Sequence, residues 1–276
     1  VDTTPPSAPV VSDQGEYTSS NDKLSASWIS QDAESGISEY RYAVGTAPGS
    51  SNTINWTSAG AAVSINLTGL SLVSGNTYYI SVQSKNGAGL WSAVGTSDGI
   101  KVDITSPAVP TVLDQGDFSA STDALSASWH SSDSESGVVE YQYAIGTTQG
   151  ATDVLGWTSA GLQTSVTQTG LHLENGKTYY FAVKAGNGAG LWSGVGTSDG
   201  IKIDNTPPSV PIVVDDGEYT TVNTSLNASW SSSDAESGIT EYQYAVGSSP
   251  GSSNILNWIS AGTQTQASIS DLSLQN

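Results

Sequence analysis

The sequence predicts an all-β chain of tandem antiparallel β-sandwich modules, two complete and a third truncated. Three observations predict it: a repeat of 101 residues without insertion or deletion, two-residue alternation of apolar side chains, and turn residues closing the alternating runs. The repeat links Trp28, Trp129 and Trp230, then Tyr40, Tyr141 and Tyr242, then Trp56, Trp157 and Trp258. It also links Tyr78 to Tyr179, Trp91 to Trp192 and Asp103 to Asp204. A step of that length is a domain rather than a solenoid turn. The copies run over 1–102, 103–203 and 204–276. Asn276 stands where Asn175 stands, ahead of Thr178-Tyr179-Tyr180, so the third copy stops two strands short. We expect a longer array to continue beyond it; the other expectation is that a second chain donates the missing strands.

Within one copy the elements follow in order. Pro5, Pro6 and Pro9 mark a leading edge strand, where a missing N–H is tolerated. Leu24, Ala26 and Trp28 share one face, with Ser25 and Ser27 on the other. The Asp32-Ala33-Glu34-Ser35-Gly36 turn leads to Tyr40, Tyr42 and Val44, with Arg41 opposite. Val63, Ile65 and Leu67 alternate next, and then Tyr78, Ile80 and Val82, with Tyr79 outward, as Tyr180 is in the second copy. Asn86-Gly87-Ala88-Gly89 closes a tight connection, and Trp91 and Trp192 follow that loop in their copies. Trp28, Trp56, Tyr40, Tyr42 and Tyr78 are assigned to the core, with no aromatic set in one plane that would make a sugar platform. The final strand, Gly99-Ile100-Lys101-Val102, runs straight into the next Pro-rich stretch at Pro107 and Pro110, so the linker is short and stiff.

Composition narrows the function. Acidic residues outnumber basic ones 26 to 7, for a net charge of −19, which repels nucleic acid and anionic lipid and attracts cations. Charged residues are only 12%, while eight Trp and twelve Tyr supply cores that a disordered acidic chain would lack. The absence of Cys removes disulfides, thiolate metal sites and cysteine nucleophiles. No run reaches the roughly 18 apolar residues of a membrane span. No signal peptide is visible, and a chain opening at Val1-Asp2-Thr3-Thr4-Pro5-Pro6 reads as a mature or excised segment.

These residues resemble the fibronectin type III family in the form common in large prokaryotic surface proteins. Trp28 stands at the family's strand-B Trp, and Tyr40-Arg41-Tyr42-Ala43-Val44 is similar to its strand C. Leu70 followed by Gly75-Asn76-Thr77-Tyr78 resembles the stretch that places a tyrosine corner at Tyr78. Lys85-Asn86-Gly87-Ala88-Gly89-Leu90-Trp91-Ser92 resembles the N-x-x-G-x-x-S signature, repeated at Asn187, Gly190 and Ser193. The loop before Tyr78 is longer than usual, its common Pro is missing, and no Arg-Gly-Asp tripeptide occurs. The resemblance implies the fold and leaves function open.

No catalytic constellation emerges. His130 and His172 lack counterparts in the other copies, no G-x-S-x-G elbow opens a helix, and the Gly-rich stretches join strands. The chain is therefore read as no enzyme, requiring no cofactor. The recurring carboxylates carry the one metal expectation. In the family fold, the loops bearing Asp32 and Glu34, Asp133 and Glu135, and Asp234 and Glu236 lie where the previous module joins, close to Asp103 and Asp204. Clustered hard oxygens suit Ca²⁺, while an Asp-x-x-Ser-Gly turn can also satisfy its own backbone. The sequons at Asn55, Asn66, Asn223 and Asn227 occur as often as chance allows in so Ser- and Thr-rich a chain.

The expected function is a structural module array of an extracellular or cell-surface stalk, filament or sheath, with copies of itself as partners. The alternatives are an adhesin that binds a glycan or cell-surface ligand, and a spacer of a secreted polysaccharide-degrading enzyme.

Overall fold

The computed structural model describes residues 1–274. Gln275 and Asn276, the last two positions of the third copy as bounded above, lie outside the described residues. Every regular element among the described residues is a β-strand.

The first copy holds β1 (Val10–Ser12), β2 (Tyr17–Thr18), β3 (Leu24–Ile29), β4 (Ile37–Gly45), β5 (Ile54–Gly60), β6 (Ser64–Leu67), β7 (Thr77–Asn86), β8 (Gly95–Thr96) and β9 (Ile100–Val102). One sheet has the order β1-β3-β6, the other β2-β9-β7-β4-β5, with β8 also on β7. The pairs are antiparallel except β2 with β9. Alternation sets the faces. Leu24, Ala26 and Trp28 turn inward from β3, and Tyr40 and Val44 from β4. Tyr78, Ile80 and Val82 of β7 and Ile100 and Val102 of β9 complete the core. The Trp28 and Tyr40 rings tilt against each other at 6.0 Å.

The second copy repeats the set as β10 (Thr111–Asp114), β11 (Phe118–Ser119), β12 (Leu125–His130), β13 (Val138–Gly146), β14 (Leu155–Gly161), β15 (Ser165–Gln168), β16 (Thr178–Asn187), β17 (Gly196–Thr197) and β18 (Ile201–Ile203). The third shows β19 (Ile212–Asp215), β20 (Leu226–Ser231), β21 (Tyr242–Val246), β22 (Leu256–Gly262) and β23 (Gln266–Ile269).

By contacts the chain forms two compact units: residues 1–113, 128–166 and 181–198 make one, and residues 114–127, 167–180 and 199–276 the other. The first contains the whole first sandwich, the β13–β14 pair, and β16 paired with β17 through Ala182 and Val183. In it Trp129 stacks on Tyr143 at 5.8 Å, and Tyr143 meets Phe181. The second contains β11 parallel to β18, β18 against Thr178 and Tyr179 of β16, the β19-β20-β23 sheet and the β21–β22 pair.

The tyrosine corner forms in both complete copies: the Val73 N–H donates to the Tyr78 hydroxyl and the Glu174 N–H to the Tyr179 hydroxyl, each at 3.0 Å. Two expectations fail. Val63 is 55% exposed rather than aligned with Ile65 and Leu67. It precedes β6, in the turn where its carbonyl accepts the Trp28 N–H. Trp56 does not enter the core, and its counterparts Trp157 and Trp258 are 37% and 62% exposed. The reason is a register shift between β4 and β5, so that Ile54 and Ala59, an odd number of positions apart, both pack inward. The bulge flips the intervening alternation and turns Trp56 out.

Candidate functional site at the module junctions

Asp103 follows β9 directly and is fully buried. Its N–H donates to Thr18 O of the first copy at 2.9 Å. Its carboxylate turns to the second copy: Oδ2 accepts the Ser136 hydroxyl and, at 2.8 Å, Nδ2 of Asn187, while Oδ1 accepts the Thr105 N–H and hydroxyl. Asp204 repeats the pattern, with its N–H on Ser119 O at 2.9 Å and its Oδ2 accepting the Ser237 hydroxyl. One residue thus bonds to two modules, with no free linker between them.

The loop after β12 supplies the rest. Asp133 Oδ1 accepts the N–H groups of Ser136 and Gly137, both at 2.9 Å, in the self-satisfying turn. Gly137 sits at φ 72°, which a side chain would strain. Asp103, Asp133 and Glu135 each offer a carboxylate oxygen within 4.8 Å of the others, as do Asp204, Asp234 and Glu236. A third set joins Asp32 and Glu34 to Asp2. The sequence reading missed Asp2, although it is 101 positions before Asp103 and so was legible from the repeat.

It also missed Asn86 and Asn187, buried at the ends of β7 and β16. Nδ2 of Asn187 donates toward Asp103 Oδ2, Thr105 O at 2.9 Å and Asp133 Oδ2 at 3.2 Å. The Leu191 N–H donates to its Oδ1 at 2.8 Å, which fixes the amide so that the nitrogen faces the carboxylates. Asn86 does the same between Asp2 and Asp32, held by the Leu90 N–H. The Asn of the N-x-x-G stretch therefore supplies positive dipole among the carboxylates, where a cation would otherwise stand.

These donors set the acidities. Backbone N–H bonds, first from Ser35, and the Asn86 amide hold Asp32 below the usual carboxylate range. Burial pushes Asp133 up, but the Ser136, Asn187 and Gly137 donors outweigh it, so it too lies low. Asp204 is lowered first by the Ser237 hydroxyl. As a metal centre the donors are of the right class for Ca²⁺. At the third set the Asn175 amide donates to Glu236 Oε1 at 3.1 Å.

Lysines reach across the same junctions. Lys101 Nζ donates to the Glu135 carbonyl, and Lys202 Nζ to the Glu236 carbonyl at 2.8 Å. A methyl placed on Gly188 would meet Tyr17 Cδ2 of the previous copy at 3.1 Å.

A second arrangement lies on the outer sheet face. Arg41 stands between Trp56 and Trp91, 5.0 and 4.3 Å from their centroids. In the second copy Lys184 stands between Trp157 and Trp192, at 4.6 and 4.8 Å. The cation has changed strand: Arg41 of β4 pairs in register with Gln83 of β7, whereas β13 carries Gln142 and β16 carries Lys184. Loop placement of Trp91 and Trp192 concealed this pairing from the sequence.

No protein-family model matches the chain. No curated protein matches it either. Among solved structures, an Escherichia coli adhesin, FdeC, is 16% identical with a TM-score of 0.49, covering 99% of this chain and 91% of that one. The fibronectin(III)-like modules of Clostridium thermocellum CbhA are 14% identical, TM-score 0.40, covering 70% and 94%. The FN1–FN3 domains of chicken CNTN1 are 17% identical, TM-score 0.32, covering 98% and 90%. The class rests on the topology itself: a three-stranded sheet of first, third and sixth strands, a second sheet built on β9-β7-β4-β5, and the tyrosine corner. The chain is a tandem array of fibronectin type III-like sandwiches.

Proposed function

We propose that the chain is a non-catalytic structural array, a stiff series of sandwich modules in a stalk or filament at a cell surface, with copies of itself as partners. The observation that supports this most is the double bonding of Asp103 and Asp204, each tied by its backbone to one module and by its side chain to the next. Domain junctions are mobile by default unless an interface holds them. Here hydrogen bonds, buried at Asp103 and part-buried at Asp204, and a lysine latch span each one. Small-angle scattering and electron microscopy of the chain test the reading. A single rod-like form at low concentration, with filaments or lateral bundles at high concentration, supports it. Modules that move independently and never associate refute it.

Calcium belongs to the same proposal. Bound among Asp103, Asp133 and Glu135, or among Asp204, Asp234 and Glu236, it would stiffen the junction by adding a cation where three carboxylates converge. Melting with calcium and with chelator checks this: a midpoint that rises with calcium, and not in Asp133→Asn combined with Asp234→Asn, supports binding there. An unchanged midpoint removes calcium from the account.

A further inference from the structure

Charge is unevenly placed along this chain. Residues 42–84 contain no Asp, Glu, Lys or Arg, and neither do residues 154–173 or 242–270. Each of these runs spans the fifth and sixth strands counted from the first copy: β5 and β6, their repeats β14 and β15, and their repeats β22 and β23. The strand that β6 pairs with, β3, is also free of charged residues. In a chain of net charge −19, these strands are where like charges are missing.

The same strands are edges. β6 ends one sheet of the first copy and β5 ends the other, so each leaves a side that no strand pairs with among the described residues. Edge strands are ordinarily guarded by Lys, Pro or a bulge. β5 meets β4 with two register shifts, which bend its edge. β6 has no such guard. It runs in unbroken register with β3, from Leu24 opposite Leu67 to Ser27 opposite Ser64, and holds neither Lys nor Pro. β23 repeats that register on β20. The core is thinnest on this side as well. Ile80 and Val82 of β7 are fully buried, whereas Ile54 and Ala59 of β5 and Ile65 and Leu67 of β6 are only partly covered.

We propose that the free edge of β6, repeated in β15 and β23, is the lateral contact between copies of this chain, with β6 lying antiparallel to the β6 of a second copy about a twofold axis. The inference rests on the self-association proposed above and names its surface. Charge selects the occupant. Two chains of net charge −19 repel each other, and they approach at least cost where neither brings a charge. A strongly charged partner gains nothing at strands that bear none. Main-chain bonds between the two edges extend the sheet, and the second copy covers Ile65 and Leu67 from the side. Four residues make a weak contact, so the chain needs the three equivalent edges acting together.

The test follows light scattering by the full chain as its concentration rises. Ser64→Glu, Ser165→Glu and Gln266→Glu together put a carboxylate on each edge, at positions exposed in all three copies. Ser19→Glu, Ala120→Glu and Thr221→Glu change the net charge equally, at exposed loop positions. The edge set should raise the concentration at which association begins about tenfold, while the loop set leaves it within about twofold. The absence of Cys allows a second measurement on chains with one new thiol each. Asn66→Cys should give a covalent dimer with a short bismaleimide, and Ser19→Cys should not. If the unaltered chain associates but both sets shift it alike, or both thiols cross-link alike, the β6 contact is overturned and self-association stands on another surface. If the unaltered chain stays monomeric at high concentration, self-association itself fails and the β6 contact with it, even where β6 takes up a strand from a different protein.

Discussion

Asp103 is buried, and its neighbours determine whether a carboxyl group there is tolerable. A buried carboxylate left without partners costs several kcal/mol, and here Ser136, Thr105 and Asn187 satisfy it. Asn187→Ala removes the amide shared by Asp103 and Asp133. It should destabilise the chain by about 2–3 kcal/mol, read as a lower melting midpoint. Asn187→Asp should be worse, since it adds a fourth carboxylate to the set. The depressed acidities of Asp32, Asp133 and Asp204 give a second prediction. A group whose folded pKa lies below its unfolded value stabilises at pH above the unfolded value. That contribution is lost as pH falls from the ordinary Asp range, about 4, through the lower folded values. Thermal melts should be flat from neutral pH to about 5 and then fall, and Asp133→Asn should flatten part of that fall.

At the level of elements, close approach and register matter most. A Cβ on Gly196 of β17 would lie 1.9 Å from the Pro110 carbonyl oxygen, a backbone atom that cannot move aside. Gly196→Ala should therefore displace the strand, with a loss of at least about 2 kcal/mol in denaturant melts. The outer-face cation offers a cleaner experiment. Arg41→Gln should cost about 1 kcal/mol, since a partly exposed cation between two rings is worth that much. Adding Gln83→Lys should restore most of it, because the pair then has the second copy's arrangement. A double-mutant cycle measures the coupling, and additive losses would show that the rings and cations act independently. The alternating residues of β3, β4 and β7 were legible in the sequence because each strand has one dry face. Trp56 was not, because the bulge between Ile54 and Ala59 breaks the period and has no mark in residue type.

Over the whole molecule, the proposed stiffness would reside in the junctions rather than in the cores. Asp204→Ala combined with Lys202→Ala removes the Asp204–Ser237 and Lys202–Glu236 bonds to the third copy, leaving the Asn175–Glu236 bond and each sandwich core intact. Scattering should then show a broader distribution of dimensions with unchanged β-sheet circular dichroism. An unchanged distribution would mean that the hydrogen bonds do not set the junction.

The sequence by itself determined the fold class, the 101-residue repeat, the inward faces of β3, β4 and β7 and all the candidate carboxylates but Asp2, because alternation and duplication are local patterns carried by residue type. Only the tertiary structure decided what the carboxylates meet. Asn187 lies 84 residues from Asp103 and reaches it only when β16 is laid in its sheet. The Trp–cation faces likewise depend on which strands are neighbours. Contacts between distant residues arise from packing, and periodicity cannot supply them.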